Sequence, residues 1–193
     1  MSKKEVKRIF RIFTISDYDK EEEFLQEQHK KGFKCIKYKF PGFYYFEKCE
    51  PEEVVYQLDF NDVKKSSREE YLQLYQDAGW EYVYEVNGWN CFRKPVSLEE
   101  ETPAIFTDRE SKIALVDKVV KERMLPLLAI FLCCLLPNID YACFWLSEGG
   151  LDRIFRICYC VIFYPLFLYY LWVLLHCGRN LQRLKKDYEN GLK

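Results

Sequence analysis

The chain has little of what most enzymes use for chemistry. Only 2 of its 193 residues are histidines, and its 8 glycines form no phosphate-binding loop. No zinc-protease helix motif and no nucleophile elbow occur either. His29 lies in the polar stretch QEQHKK and His176 at the edge of an apolar run, so we expect a solvated and an interfacial histidine. The sequence therefore predicts no enzymatic activity, no cofactor and no metal site.

The chain also lacks an excess of basic charge. Lysine and arginine total 29, against 30 aspartates and glutamates, which gives a formal net charge of −1. Basic residues are interleaved with acidic ones along the N-terminal half, so no continuous basic segment marks a nucleic-acid surface. We expect no nucleic-acid partner.

The 9 cysteines show neither metal-ligand spacing nor a disulfide framework. They are dispersed through both halves of the chain, which is typical of a reducing compartment, where cysteines behave as small apolar residues. The N-terminal segment is too charged, and its apolar part too short, for a signal peptide. Residues 1–95 are therefore predicted to lie in the cytoplasm.

Charge disappears from most of the C-terminal half. Residues 157–177 carry no charge and are long enough to cross a membrane as a helix. A second apolar stretch, residues 124–146, contains Asp140 near its far end. Two alternatives remain for this carboxylate: an intramembrane functional site, or an interfacial position beside Tyr141 and Trp145. Both stretches are predicted to span the membrane.

Basic residues beside these two stretches predict their orientation. Lysines and arginines lie before the first stretch and after the second, whereas the short turn between them is nearly neutral. We expect a transmembrane hairpin with both termini in the cytoplasm and a basic tail at residues 178–193. Residues 96–123 form an acidic linker and an amphipathic connector helix. This helix and the tail either contact each other or each lie on anionic lipid.

The N-terminal half contains a repeated pattern. Residues 32–48 are GFKCIKYKFPGFYYFEK, and residues 79–94 are GWEYVYEVNGWNCFRK. Each segment follows a predicted helix, with EEFLQ in the first and EEYLQ in the second. A predicted strand precedes each helix, and a hairpin about Pro41-Gly42 or Asn87-Gly88 follows it. The sequence thus predicts an α+β domain of two βαββ units with antiparallel sheet and two helices, followed by the two-helix hairpin.

Alternation along the two predicted hairpins divides their side chains between two faces. The more apolar face is expected to pack under the helices; in the first unit it contains Ile36, Tyr38, Phe40, Phe43 and Tyr45. The other face combines large rings with a carboxylate, a composition typical of a ligand cleft. Its candidate ligand-binding residues are Tyr44, Phe46, Val83, Glu85 and Phe92. The alternative is that these rings pack against each other between the units.

Two resemblances are carried by these segments. GWEYVYEVNGWNCFRK, IFTDRESK and the apolar hairpin together resemble a family of bacterial membrane-anchored proteins with a domain of unknown function. Its members occur mostly in Gram-positive bacteria and are often encoded beside PadR-type repressors. In topology alone, doubled βαββ units resemble gyrase-inhibitor-like effector-binding domains, where a carboxylate among aromatic rings meets a cationic drug. The second resemblance implies that role for Glu85.

Together these features predict a membrane-anchored cytoplasmic module for sensing or interaction, linked to a PadR-type regulatory system. The expected partners are the lipid bilayer, a small amphiphile or a regulatory protein, and further copies of the chain in a homo-oligomer. The alternative function is protein docking alone, as an anchor or accessory subunit of a membrane complex that binds no small molecule.

Overall fold

The chain folds into two compact units, Met1–Leu115 and Val116–Lys193. The computed structural model describes residues 6–61, 65–96, 105, 109–135 and 152–191. The finer division predicted from the sequence, with boundaries after residues 95, 123 and 177, stays a prediction.

The described residues of the first unit form two antiparallel sheets of three strands each, which confirms the mixed α+β class. Sheet A has the order β1 (Val6–Phe10), β3 (Phe43–Lys48), β2 (Phe33–Lys39). Sheet B has the order β4 (Val54–Phe60), β6 (Trp89–Pro95), β5 (Glu81–Val86). Helix α1 (Tyr18–Lys30) connects β1 to β2, and a short 3₁₀ turn (Lys65–Ser67) leads into helix α2 (Arg68–Asp77), which precedes β5. In each sheet the last strand in the chain lies at the centre.

Residues with positive φ lie where the sequence predicts helix ends and a tight turn. Gly32 and Gly79, which follow the two helices, have φ of 82° and 81°. Between β5 and β6, Asn87 and Gly88 have φ of 49° and 82°. A two-residue hairpin turn needs this pair of positive angles, and asparagine and glycine tolerate them best. The predicted helix ends and the Asn-Gly hairpin are confirmed.

A β-bulge in the first hairpin makes the predicted division of its faces wrong. The register of β2 against β3 shifts between Cys35 and Lys37, so the alternation of side chains changes phase along β2. The turn also contains three residues rather than two, because Lys39 pairs with Phe43. As a result Ile36 and Phe40, expected under the helix, are 41% and 76% exposed.

Helix α1 lies between the two sheets. Its Phe24 ring packs on Tyr44 and Phe46 of sheet A, with centroids 5.4 and 5.9 Å apart. On the opposite side Tyr18 stacks on Trp89 of sheet B at 5.0 Å. Helix α2 covers the other face of sheet B, where its Tyr75 stacks on Phe92. Neither α1 nor α2 covers the outer face of sheet A.

The second unit is helical. Helix α3 (Arg109–Val119) enters it and continues through a π-helical turn (Val120–Met124), α4 (Leu125–Ile130) and a second π-helical turn (Phe131–Leu135). Helix α5 (Asp152–Glu189) contains the predicted second span and most of the predicted tail.

Within the described residues, one helical segment is long and apolar enough to cross a membrane. It is Tyr159–Glu189, which contains an 18-residue window with a mean hydropathy of 1.8. The predicted pair of spans is therefore not confirmed. Part of the first stretch, the turn and Asp140 lie outside the described residues.

The tail and the connector contact each other inside the second unit, which is one of the two arrangements that the sequence leaves open. The ammonium of Lys185 donates a hydrogen bond to Asp117 Oδ1 at 2.6 Å. Leu181 is 1% exposed on α5 and Val116 is 1% exposed on α3. Deeper in the apolar part, Phe131 stacks on Phe167 at 5.3 Å.

Candidate functional site

The five residues predicted to line a cleft do not share an open surface. Tyr44 and Phe46 are buried beneath α1, and Phe92 is buried beneath α2, where Tyr75 stacks on it at 4.1 Å. Val83 lies in a second bulge, between Tyr82 and Tyr84. The prediction of an open aromatic face is therefore wrong.

The predicted carboxylate, Glu85, already has a cation partner within the chain. Its Oε2 lies 2.5 Å from Nη1 of Arg68, and the same guanidinium donates to the hydroxyl of Tyr82 at 3.1 Å. A ligand cation would have to compete with this ion pair. The ligand-binding role of Glu85 and its four companions stays a prediction. One of the five, Tyr44, lines a cavity together with a different carboxylate.

A different carboxylate occupies the space between the two sheets. Glu21 of α1 is 8% exposed. Its Oε1 accepts a hydrogen bond from the hydroxyl of Tyr44 in sheet A and another from the hydroxyl of Tyr84 in sheet B, both at 2.6 Å. This length is typical of a charge-assisted O–H···O⁻ bond. One oxygen atom thus joins α1 to both sheets.

Burial dominates the electrostatics of Glu21. Loss of solvent raises its pKa above the ordinary value of 4.5, although the hydrogen bonds from Tyr44 and Tyr84 act in the opposite direction. Both hydroxyls remain protonated donors at neutral pH, because burial raises the pKa of each tyrosine. No lysine or arginine among the described residues forms an ion pair with Glu21.

Glu21 lines a cavity of about 150 Å³ with mostly aromatic and aliphatic walls. The other lining residues are Ile12, Phe13, Thr14, Ile15, Tyr18, Tyr38, Phe40, Pro41, Tyr44, Val86, Asn87 and Trp89. Ile12 and Phe40 are 64% and 76% exposed, so they mark the side of the cavity that opens to solvent. On the wall, Tyr38 stacks on Tyr84 at 5.5 Å.

This arrangement suits an organic cation. Aromatic faces attract cations through their quadrupole, and a desolvated carboxylate adds a full negative charge. One carboxylate without further acidic, histidine or cysteine ligands does not suit a metal ion, and the described residues contain no metal-binding cluster.

Glu21 is not among the residues predicted from the sequence, because it lies among three consecutive glutamates, a pattern typical of an exposed helix surface. A signal was nevertheless present. Glu21 precedes Phe24, Leu25 and Gln28 by three, four and seven residues, so helical periodicity places it on the buried face of α1. A carboxylate on the apolar face of a helix is a candidate for a functional residue, because burying its charge is costly.

His29 also departs from the expectation of a solvated histidine. It is 5% exposed, and its Nδ1 lies 2.8 Å from the hydroxyl of Tyr56 in sheet B. Burial, and next the charge of Arg93, lower its pKa. His29 lines a cavity of about 220 Å³ whose walls carry both acidic and basic groups. Charges of both signs give that cavity no preference for an ion of one sign.

Comparison with known proteins gives one match. No curated protein and no solved structure matches the chain. One family model, described as a protein of unknown function (DUF2812), matches residues 17–130, which is more than half of the chain. The matched segment includes α1 with Glu21, and both Tyr44 and Tyr84. This agrees with the resemblance to a family with a domain of unknown function. The chain belongs to the DUF2812 family.

Proposed function

We propose that the protein is a membrane-anchored cytoplasmic module that senses cationic amphiphiles through the cavity at Glu21. The observation that carries the proposal is the position of this carboxylate, buried among aromatic rings and without an ion-pair partner in the described residues. A desolvated carboxylate is costly unless a cation or hydrogen bonds compensate it. Two hydroxyls compensate it in part, and a ligand cation supplies the missing charge.

The dimensions of the cavity favour a small cationic head group. Its volume of about 150 Å³ is below the roughly 300–1,000 Å³ that drug-sized ligands occupy. The exposed side chains of Ile12 and Phe40 adjoin it and offer an apolar surface to a tail. A ligand with a compact cation at one end and an apolar chain at the other fits both features.

The membrane part of the proposal is a two-helix hairpin with both termini in the cytoplasm. The candidate span Tyr159–Glu189 supports one helix, and the apolar residues 124–146 support the other. Basic residues outside the two ends, with few in the turn, support the orientation. An anchored module meets amphiphiles where they concentrate, at the bilayer.

We also propose that the first unit arose by internal duplication. The two sheets have corresponding strand orders, with the last strand of each at the centre. Bulges occur at corresponding places of the two hairpins, between Cys35 and Lys37 and between Tyr82 and Tyr84. The cavity at Glu21 lies where the two halves meet.

A route from ligand to partner follows from the bonds of Glu21. A cation that competes for its carboxylate changes the contacts of α1 with both sheets at once. We propose that this change is passed to a PadR-type regulatory protein, the partner that the sequence resemblance implies. The alternative function, docking without a small-molecule ligand, requires no cation binding.

The test is a calorimetric titration of the full chain in lipid nanodiscs. The probes are a short-chain alkyl trimethylammonium ion and its neutral tert-butyl isostere. The cation should bind, the isostere should not, and Glu21→Gln should weaken the cation at least tenfold, which is about 1.4 kcal/mol.

Glu85→Gln is the matched control, because it removes the same charge from a carboxylate paired with Arg68. It should leave the affinity unchanged. Equal losses in the two variants, or equal binding of cation and isostere, would remove Glu21 from this role. If neither probe binds, docking without a ligand is the better description.

A further inference from the structure

The outer face of sheet A has a composition unlike the rest of the first unit. In antiparallel neighbours, directly paired residues share a face. Val6 pairs with Glu47, Arg8 with Tyr45 and Phe10 with Phe43. From the other edge, Lys34, Lys37 and Lys39 pair with Glu47, Tyr45 and Phe43. Among the described residues, the face therefore carries four basic residues and one acidic residue around a row of rings.

Cations and rings interleave on this face. The guanidinium of Arg8 lies 5.3 Å from the centroid of Phe43, and the ammonium of Lys39 lies 5.8 Å from that of Tyr45. Phe10 packs on Phe43 at 4.8 Å while 54% of it remains exposed. Protein surfaces that combine aromatic rings with lysine and arginine are typical of regions that lie at the level of lipid head groups.

The corresponding face of sheet B shows what a helix-covered face looks like in this fold. There Leu58 pairs with Cys91, and both are buried on the side of sheet B that faces α1. On the outer face of sheet A, the corresponding pair is Arg8 on β1 and Tyr45 on the central strand β3. An arginine on this face is unfavourable under a packed helix, but it suits a hydrated surface of negative charge.

We propose that the outer face of sheet A docks on anionic phospholipid head groups. The candidate span in the same chain keeps this unit near a bilayer, so a weak electrostatic contact is enough to hold the face there. The single acidic residue, Glu47, lies 4.0 Å from the ammonium of Lys34, which leaves Arg8, Lys37 and Lys39 for lipid.

Docking also places the cavity at the lipid surface, a consequence that rests on the proposed function. Arg11 donates its backbone N–H to Gly42 O at 2.9 Å, so Ile12 and Phe40 lie at one end of sheet A. Both residues are exposed on the open side of the Glu21 cavity. An amphiphile could then pass its head group to Glu21 while its tail stays in the bilayer.

Lysine acetylation read by mass spectrometry tests the docking on the full chain. Nanodiscs of phosphatidylcholine alone are compared with nanodiscs that contain phosphatidylglycerol as well. Lys37 and Lys39 should react at least threefold more slowly in the anionic discs, and high salt should abolish the difference because it screens charge. Lys31 at the end of α1, whose side chain is 61% exposed, should react equally in both.

Charge reversal supplies the second measurement. In Lys37→Glu/Lys39→Glu, Lys34 on the same face should lose its protection in anionic discs. The control Lys30→Glu/Lys31→Glu reverses two exposed charges away from the face and should keep the protection of Lys37 and Lys39.

Equal acetylation in both disc compositions would overturn the proposal. Protection that appears in both compositions, resists salt and grows with the number of chains per disc would overturn it in favour of a second copy as the occupant. Protection that requires added nucleic acid would overturn it likewise. Glu21→Gln should retain full protection, so failure of the docking and failure of cation sensing are distinguishable.

Discussion

The hydroxyl of Tyr84 provides a direct test of how Glu21 joins α1 to sheet B. Tyr84→Phe keeps the ring and its stacking on Tyr38 but removes the O–H that donates to Glu21 Oε1 at 2.6 Å. A hydrogen bond to a charged group contributes about 1.5–3 kcal/mol, whereas one between neutral groups contributes about 0.5–1.5 kcal/mol. We expect Tyr84→Phe to lower the free energy of unfolding of the first unit by about 2 kcal/mol at pH 8.

The same substitution in a Glu21→Gln background should cost less. Glutamine presents a neutral oxygen in place of the carboxylate, so the expected loss falls to about 1 kcal/mol. The coupling energy between the two positions is then about 1 kcal/mol, within the range measured for side chains in contact. Tyr82→Phe is the control, because its hydroxyl bonds the partly exposed Arg68 rather than a buried carboxylate. It should change stability much less.

Native-state hydrogen exchange of the amides of β3 and β6 measures these energies in the full chain, because the slowest core amides report global unfolding. An identical loss for Tyr84→Phe in the wild-type and Glu21→Gln backgrounds would refute the reasoning. It would mean that the charge of the Glu21 carboxylate does not strengthen the hydrogen bond from Tyr84.

Two further predictions concern pH and backbone packing. Because burial raises the folded-state pKa of Glu21 above its ordinary value of 4.5, stability should fall as pH rises from 4.5 through the folded pKa and then level off. Thermal unfolding should show this fall in wild type relative to Glu21→Gln, and parallel pH profiles would assign it to another group. Gly42→Ala should lower stability by about 1–3 kcal/mol, because a Cβ there lies 2.5 Å from the carbonyl oxygen of Arg11. Urea titration of the full chain measures this loss. In that titration Gly178→Ala, with nothing within 4 Å of the added carbon, should leave the first unit unchanged.

The order of elements could be predicted because its signals are local. A glycine after each amphipathic stretch ends a helix, since φ near 80° is easy only for glycine. Asn87-Gly88 selects a two-residue turn for the same reason. These preferences act within a few residues, so no knowledge of tertiary contacts is needed.

The division of faces could not be predicted, because one extra residue reverses it. A bulge at Ile36 leaves no clear mark in a strand where lysines and rings alternate either way. Burial of Tyr44 and Phe46 under α1 selects the observed register, and that selection is a tertiary effect. The prediction of an open aromatic face was wrong for this reason. Its chemistry, a carboxylate among rings, recurs in the structure at Glu21.

A second buried carboxylate allows a structural role to be distinguished from a role in ligand binding. Asp59 of β4 is 7% exposed and accepts hydrogen bonds from Tyr71 and Tyr75 of α2, at 2.6 and 2.9 Å. Its hydrogen bonds connect α2 to sheet B, and it does not line the cavity at Glu21. Hydrogen bonds that connect a helix to a sheet therefore do not explain why a cavity lies beside the carboxylate of Glu21.

An apolar side chain at position 21 could fill that space and avoid the cost of burying a charge, as replacements of buried ionic groups often show. The combination of a carboxylate that is compensated by two hydroxyls alone with a cavity is thus unfavourable for stability. Under the proposed function, a cation in the cavity would offset this cost by supplying the opposite charge. A ligand of this kind should stabilise the wild-type chain and leave Glu21→Gln nearly unaffected, since stabilisation follows the affinity for the folded state.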